Sequence, residues 1–152
     1  MNTITDVGTW ASSWIWGVPL IVTSVVVHVL GLVMIRSGFA RFFTRRPPSR
    51  GEHLMRFAAA TGTAVLLITI LHVLQAVVWA FAYVALDALP SPRIAMLYSL
   101  NAMTAYGHIT DFLAPHWQLL GALQALNGLI LFGLSTAFLY GMIEFGSPAR
   151  QR

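Results

Sequence analysis

The chain has 152 residues, of which 57% are hydrophobic and only 9% charged, against about 25% charged residues in soluble domains. Because so few charged residues cannot cover the surface of a globular protein, the composition excludes an ordinary soluble domain. It predicts an integral membrane protein. The lack of cysteine excludes disulfides, thiol catalysis and thiolate metal sites.

The net charge is +4, and all nine basic residues are arginine. Most of them lie between Arg36 and Arg56, and Arg150 and Arg152 end the chain. Because arginines beside apolar runs contact lipid headgroups and mark cytoplasmic loops, we expect lipid rather than nucleic acid as their partner. The pattern predicts a membrane protein with the N-terminus outside and the C-terminus in the cytoplasm.

Three apolar runs predict three transmembrane helices. After a polar tail over residues 1–13, the first helix runs from Trp14 to Ile35, and its rise of about 33 Å crosses a bilayer core. Residues 36–56 contain Ser-Gly and Pro-Pro breakers and form a basic linker. The second helix is predicted from His53 to Ala88, and the third from Trp117 to Phe145.

A shorter helix is predicted between the second and third runs. Ser91-Pro92 is a helix-start pair, with serine at the N-cap and proline at the first helical position. Pro92 to Met103 then rises about 18 Å, half a membrane. Irregular backbone within the membrane is stable only where protein or water can form hydrogen bonds with it. The C-terminal end of a helix carries the negative end of its dipole, which favours a cation. We therefore expect a cation path along Thr104 to Gly107. A ring of identical segments in a homo-oligomer would complete the wall of this path.

The fold prediction is an all-α membrane protein with three transmembrane helices, a re-entrant pore helix and a loop. Residues 1–52 hold the tail, the first helix and most of the basic linker. Residues 53–146 form the pore module, and 147–152 a short basic cytoplasmic tail.

The order of helix, short helix, Tyr-Gly loop and helix resembles the pore module of potassium channels. In small bacterial ion channels this module follows an extra N-terminal helix, and two motifs of this chain carry the resemblance. The likeness covers residues 65–145. Met103-Thr104-Ala105-Tyr106-Gly107-His108 stands where the family has Thr-Val-Gly-Tyr-Gly-Asp. Gly128 to Ala137 resembles the Gly-x4-Gly-x2-Thr-Ala stretch of the family's inner helix, and Gln124 stands where a glutamate is common.

The resemblance implies a homotetrameric cation channel that needs no cofactor and conducts K⁺ or another monovalent cation, held only transiently by filter carbonyls. The implied filter is Met103, Thr104, Ala105, Tyr106 and Gly107, the mouth is His108 and Asp111, and the cavity and gate are Gln124, Asn127, Gly128, Gly133 and Thr136. Bonding between helices is the other role that Gln124, Asn127 and Thr136 could have.

The filter departs from the family at three positions. Ala105 replaces a glycine whose backbone conformation costs an L-residue about 1–2 kcal/mol. Met103 replaces a threonine that lines the innermost ion site, and His108 replaces an aspartate. An alignment with a gap matches Thr104 to that threonine and shortens the filter by one residue. These changes leave the ion open and keep an alternative, a non-conducting membrane partner or regulator.

The histidines suggest two further hypotheses. Imidazole ordinarily titrates near neutral pH, so protonation of His108 at the mouth would repel cations, whereas a neutral His108 would form a hydrogen bond behind the filter. His28 and His72 lie in the first and second helices, where they could ligate a b-type haem in an electron carrier or bond to a neighbouring Ser, Thr or Gln side chain. An enzyme is not expected, because the five acidic residues are dispersed and no catalytic motif is present.

Overall fold

In a computed structural model of the protein, residues 4–44, 50–107 and 113–146 are described, and no strand occurs among them. The helices are α1 (Ile4–Thr44), α2 (Arg50–Ala85), α3 (Pro92–Met103) and α4 (Gln118–Gly146), with a 3-10 turn at Pro115–Trp117 before α4. Three segments are long and apolar enough to cross a membrane: Trp10–Arg41, Leu54–Ala85 and Pro115–Glu144. The predicted all-α class and the three long helices are confirmed.

Helix α1 is longer at both ends than the predicted Trp14–Ile35. Its 41 residues rise about 61 Å, and the predicted polar tail is already helical at Ile4. At the other end, the hydroxyl of Ser37 donates to the carbonyl of Val33 at 2.9 Å. That bond satisfies the serine inside the helix, and α1 continues through Ser37-Gly38 to Thr44. The predicted linker shrinks accordingly, and its Pro47-Pro48 pair lies outside the described residues.

Helix α2 begins at Arg50 and ends at Ala85, three residues before the predicted end at Ala88. Asp87 adopts a left-handed conformation with φ 54°. Its N–H donates to the carbonyl of Val84 at 3.1 Å, and the N–H of Ala88 donates to the carbonyl of Tyr83 at 2.8 Å. This pair of bonds is the Schellman motif, which satisfies the last helical carbonyls and turns the chain toward α3.

Helix α3 has the bounds that the sequence predicts, Pro92 to Met103. The hydroxyl of Ser91 accepts from the N–H of Ile94 at 3.3 Å, so serine is the N-cap and Pro92 the first helical residue. Both local predictions are confirmed. Helix α4 starts at Gln118, one residue after the predicted Trp117, because Pro115–Trp117 forms a tighter turn first.

The three long helices pack as a bundle, and α3 is wedged between α2 and α4 at one end. The largest buried cluster lies at this junction and includes Trp79, Tyr83, Tyr98, Trp117 and Leu120. Tyr83 and Tyr98 meet edge to face, with ring centroids 5.2 Å apart. Aromatic burial of this kind fixes α3 to the bundle rather than leaving it on the surface.

Candidate functional site

Helix α3 descends from one end of the bundle to its middle. Tyr98 lies beside Tyr83 on α2, whereas the end of α3 at Met103 shares a buried cluster with Ala76 and Leu131. Contacts therefore move toward the N-terminus of α2 and toward the C-terminus of α4 as α3 proceeds. Because Leu131 lies near the middle of the candidate span Pro115–Glu144, α3 ends about halfway along the spans.

Two glycines of α4 let α3 approach closely. A Cβ at Gly121 would collide with the hydroxyl of Tyr98, and a Cβ at Gly128 would collide with the carbonyl of Met103. The second contact is with backbone, which has no rotamer to adopt elsewhere. The absence of a side chain at Gly128 thus sets the depth that the end of α3 reaches.

A buried hydrogen-bond network joins α2, α3 and α4 through Gln124. Its Oε1 accepts from the hydroxyl of Tyr83 at 2.7 Å, and its Nε2 donates to the hydroxyl of Ser99 at 2.6 Å and to the Ser99 carbonyl at 3.2 Å. The hydroxyl of Ser99 donates in turn to the carbonyl of Ala76 at 2.7 Å. Within one subunit, Gln124 thus bonds between helices, the second of the roles considered for it.

The aromatic side of this network is uncharged. Tyr83 and Tyr98 are both buried, and an apolar environment disfavours the phenolate. The Tyr98 ring therefore contributes a neutral surface between α2 and α4 at any physiological pH. The network positions α3 by hydrogen bonds and aromatic contacts rather than by ion pairs.

The residues after α3 close the helix with a second Schellman motif. The N–H of Ala105 donates to the carbonyl of Ala102 at 3.0 Å, and the N–H of Tyr106 donates to the carbonyl of Asn101 at 3.0 Å. Ala105 has φ 53° and Gly107 has φ 92°. Ala105 is therefore the left-handed residue of this motif, in a conformation that costs an L-residue about 1–2 kcal/mol.

The predicted filter residues differ in burial on the two sides of the end of α3. Met103 is buried, whereas Thr104, Ala105, Tyr106 and Gly107 are exposed on the single chain, and Tyr106 is 74% exposed. Their non-helical backbone thus lies exposed about halfway along the candidate spans. The predicted mouth residues His108 and Asp111 lie outside the described residues.

The predicted cavity residues of α4 fall on two faces. Asn127 is fully buried, and neither its Oδ1 nor its Nδ2 has a hydrogen-bond partner. Gly133 and Thr136 lie on the exposed face, where a Cβ at Gly133 would meet nothing within 4 Å. The hydroxyl of Thr136 donates to the carbonyl of Phe132 at 2.9 Å. Gly133 and Thr136 are thus available to a second subunit or to a cavity, whereas Asn127 lies inside the bundle.

His28 and His72 meet inside the bundle, with ring centroids 4.9 Å apart and an interplanar angle of 73°. Axial haem ligation needs the two imidazoles on opposite faces of a macrocycle. Rings in direct edge contact leave no space for a porphyrin between them, and Nε2 of His28 is already 2.9 Å from the hydroxyl of Ser135. The pair does not fit the haem hypothesis.

The arginines of the predicted lipid site flank the ends of α1 and α2. Arg36 and Arg41 are exposed near the C-terminal end of α1. Arg56 pairs with Glu52 one turn earlier on α2, at 3.7 Å. Arg45 and Arg46 lie outside the described residues. The described part of the cluster is therefore arranged at one end of the bundle, at the opposite end of α2 from α3.

Sequence patterns did not indicate Tyr83 and Ser99 as partners of Gln124. Ser99 lies on α3, seven residues beyond Pro92, and nothing in this spacing predicts contact with α4. Tyr83, near the end of α2, is predicted from its position to be an aromatic residue at the membrane interface. The one available signal is the isolated glutamine within the apolar run of α4, because a buried amide in a span requires polar partners.

Scans against protein-family models, curated proteins and solved structures found no match to this chain.

Proposed function

We propose that this chain is a subunit of a homotetrameric cation channel that resembles potassium channels and conducts monovalent cations. The observation that carries the proposal is the exposed, non-helical backbone of Thr104 to Gly107, about halfway along three candidate spans. The N–H groups of Thr104, Ala105 and Tyr106 bond back to α3, but the carbonyls of an exposed, non-helical backbone find no donors in hydrocarbon, so they require protein or water around them. A ring of identical subunits provides both.

The inner-helix pattern supports the same function. Gly128 to Ala137 resembles the family's inner helix, and Gly128 accommodates the end of α3 as a close backbone contact. Gly133 and Thr136 remain on the exposed face, where a neighbouring subunit or a water-filled cavity can meet them. Four-fold assembly follows from the resemblance to potassium channels, as does the filter role of residues 103–107.

The direction of the chain follows from its arginines. With the cluster from Arg36 to Arg56 in the cytoplasm, α3 enters from the outer side and its C-terminal end points inward. The negative end of the helix dipole then faces the middle of the membrane, where it favours a cation. We assign the protein to the bacterial plasma membrane, with anionic lipids at the arginine cluster.

A non-conducting membrane partner is the second candidate function, and the Schellman motif after α3 favours it. The carbonyls of Leu100, Asn101 and Ala102 each accept a bond from residues 104–106. These three oxygens are therefore paired within the chain. A conducting filter must use carbonyls that follow them, and Ala105 and Met103 depart from the family's chemistry there.

A flux assay on reconstituted liposomes separates the two functions. We expect flux of K⁺, Na⁺ or both above that of empty liposomes, and none of the large cation N-methyl-D-glucamine. Gly107→Val should lower this flux, because φ 92° at Gly107 is unfavourable for a side chain. Gly62→Ala is the matched control, since its Cβ meets nothing within 4 Å. Inserted oligomers without flux would favour the non-conducting partner.

A further inference from the structure

His28 of α1 and His72 of α2 form a buried pair that the proposed pore does not use. His28 is 0% exposed, and the two rings are in edge-to-face contact. Ionisable groups within membrane spans are rare and usually have a function. The hydrogen-bond donors and acceptors around the pair indicate which ligand it takes.

Two buried acceptors on α2 lack a donor. Nδ1 of His72 lies 2.9 Å from the carbonyl of Ile68, and because a carbonyl only accepts, Nδ1 carries the hydrogen. Nε2 of neutral His72 is then an acceptor, and it is buried without a partner. Nε2 of Gln75 donates to the carbonyl of Ser24 at 3.0 Å. Oε1 of Gln75 is likewise a buried acceptor without a partner.

Neither neutral form of His28 satisfies both acceptors. Nε2 of His28 lies 2.9 Å from the hydroxyl of Ser135, and Nδ1 is buried without a partner. If Nε2 accepts from Ser135, Nδ1 carries one hydrogen, whereas two buried acceptors, Nε2 of His72 and Oε1 of Gln75, lack a donor. If Nε2 donates to Ser135, all three atoms are acceptors. One additional proton on the pair supplies the missing donor.

The surroundings favour one proton over two protons or a divalent metal ion. On α4 the pair meets Ser135 and Phe132, neither of which titrates. The nearest charged residues described on α1 and α4 are Arg36, exposed two turns beyond His28, and Glu144, which is also exposed. The described charges nearest to His72 along the chain are Arg56 on α2 and Asp87 in the turn after α2, both about four turns away. Without a facing carboxylate, a second positive charge 4.9 Å from the first is strongly unfavourable.

We propose that His28 and His72 form a binding site for a single proton between α1 and α2, with Oε1 of Gln75 as the shared acceptor. The protonated ring donates to Gln75, and the neutral ring retains its bond to the protein. The site adds an ionic hydrogen bond across the contact between the N-terminal helix and the pore module. It does not rest on the proposed conduction, because it concerns protonation and helix contact in the folded subunit.

The test is ¹⁵N NMR of histidine side chains in the full-length protein in lipid nanodiscs, between about pH 4 and 9. We expect the rings of His28 and His72 to shift together and to take up one proton in total, as coupled sites do. His28→Gln and His72→Gln assign the signals and should abolish the shared shift. His116→Gln is the matched control, since His116 is exposed, and should leave it unchanged.

Gln75→Glu keeps the proposal testable if the histidine variants do not fold. A carboxylate in place of the Gln75 amide should raise the affinity of the pair for its proton at least about tenfold. Three outcomes would overturn the proposal. Two rings that stay neutral throughout indicate a bound water, and two rings that titrate independently indicate separate sites. A shift that appears only on addition of Zn²⁺ indicates a metal site.

Discussion

The carbonyl of Met103, the last residue of α3, lies against the Cα of Gly128 on α4. A Cβ at Gly128 would collide with that oxygen and come within 2.8 Å of the Met103 carbonyl carbon and 2.9 Å of its Cα. Because all three atoms are backbone, only a shift of a whole helix relieves the collision. This contact therefore holds α3 at the depth on which the proposed pore depends.

Gly128→Ala should destabilise the protein by about 1–3 kcal/mol, as overpacking of a tight contact does. The higher helix propensity of alanine, up to about 1 kcal/mol, offsets only part of this. The measurement is unfolding of the protein in mixed micelles by increasing fractions of denaturing detergent. Gly62→Ala is the control, because it gains the same helix propensity without a collision. Equal stability of the two variants would contradict the role given to Gly128.

Gln124→Leu should cost about 1–3 kcal/mol, because it leaves the Tyr83 hydroxyl and the Ser99 carbonyl buried with one partner fewer. The same micelle titration measures it. Thr69→Val is the control. It removes an exposed polar group, a hydroxyl that donates to the carbonyl of Val65 one turn earlier in the same helix. A loss for Gln124→Leu no larger than for Thr69→Val would mean that the network does not hold α3.

Ala105→Gly should stabilise the protein by about 1 kcal/mol, since φ 53° at Ala105 strains an L-residue but not glycine. Ala122→Gly, at an exposed helical position of α4, should have the opposite sign and cost about 1 kcal/mol. Thermal unfolding of both variants in the same detergent compares them. A loss of stability at both positions would show that residue 105 is not left-handed in the folded protein.

The sequence predicted the parts of the fold that local chemistry determines. Serine accepts bonds from a helix start and proline fits its first turn, so Ser91-Pro92 located α3 correctly. The same local rules failed at Ser37-Gly38, where the serine hydroxyl bonds within the helix and α1 continues. They also placed the end of α2 too late. Glycine usually marks the left-handed residue after a helix, whereas here that residue is Asp87.

The candidate site was less predictable, because it depends on which helix faces meet. Gln124 could face either a cavity or another helix until Tyr83 and Ser99 were seen beside it. Likewise, equal depth for His28 and His72 requires helix lengths and tilts that periodicity does not give. Filter, mouth and assembly remain predictions from resemblance, and His108 and Asp111 lie outside the described residues.

Tyr106 is predicted to border a water-filled cation path in the assembled protein. The chain has no cysteine, so Tyr106→Cys provides a single thiol at the exposed end of α3. The measurement is K⁺ flux from liposomes containing Tyr106→Cys, before and after a charged, membrane-impermeant thiol reagent. We expect flux that falls sharply after the reagent, while flux through Leu30→Cys, at an exposed apolar position of α1 outside the pore module, does not change. Flux that the reagent leaves intact at residue 106, or no flux from inserted oligomers, would contradict this prediction.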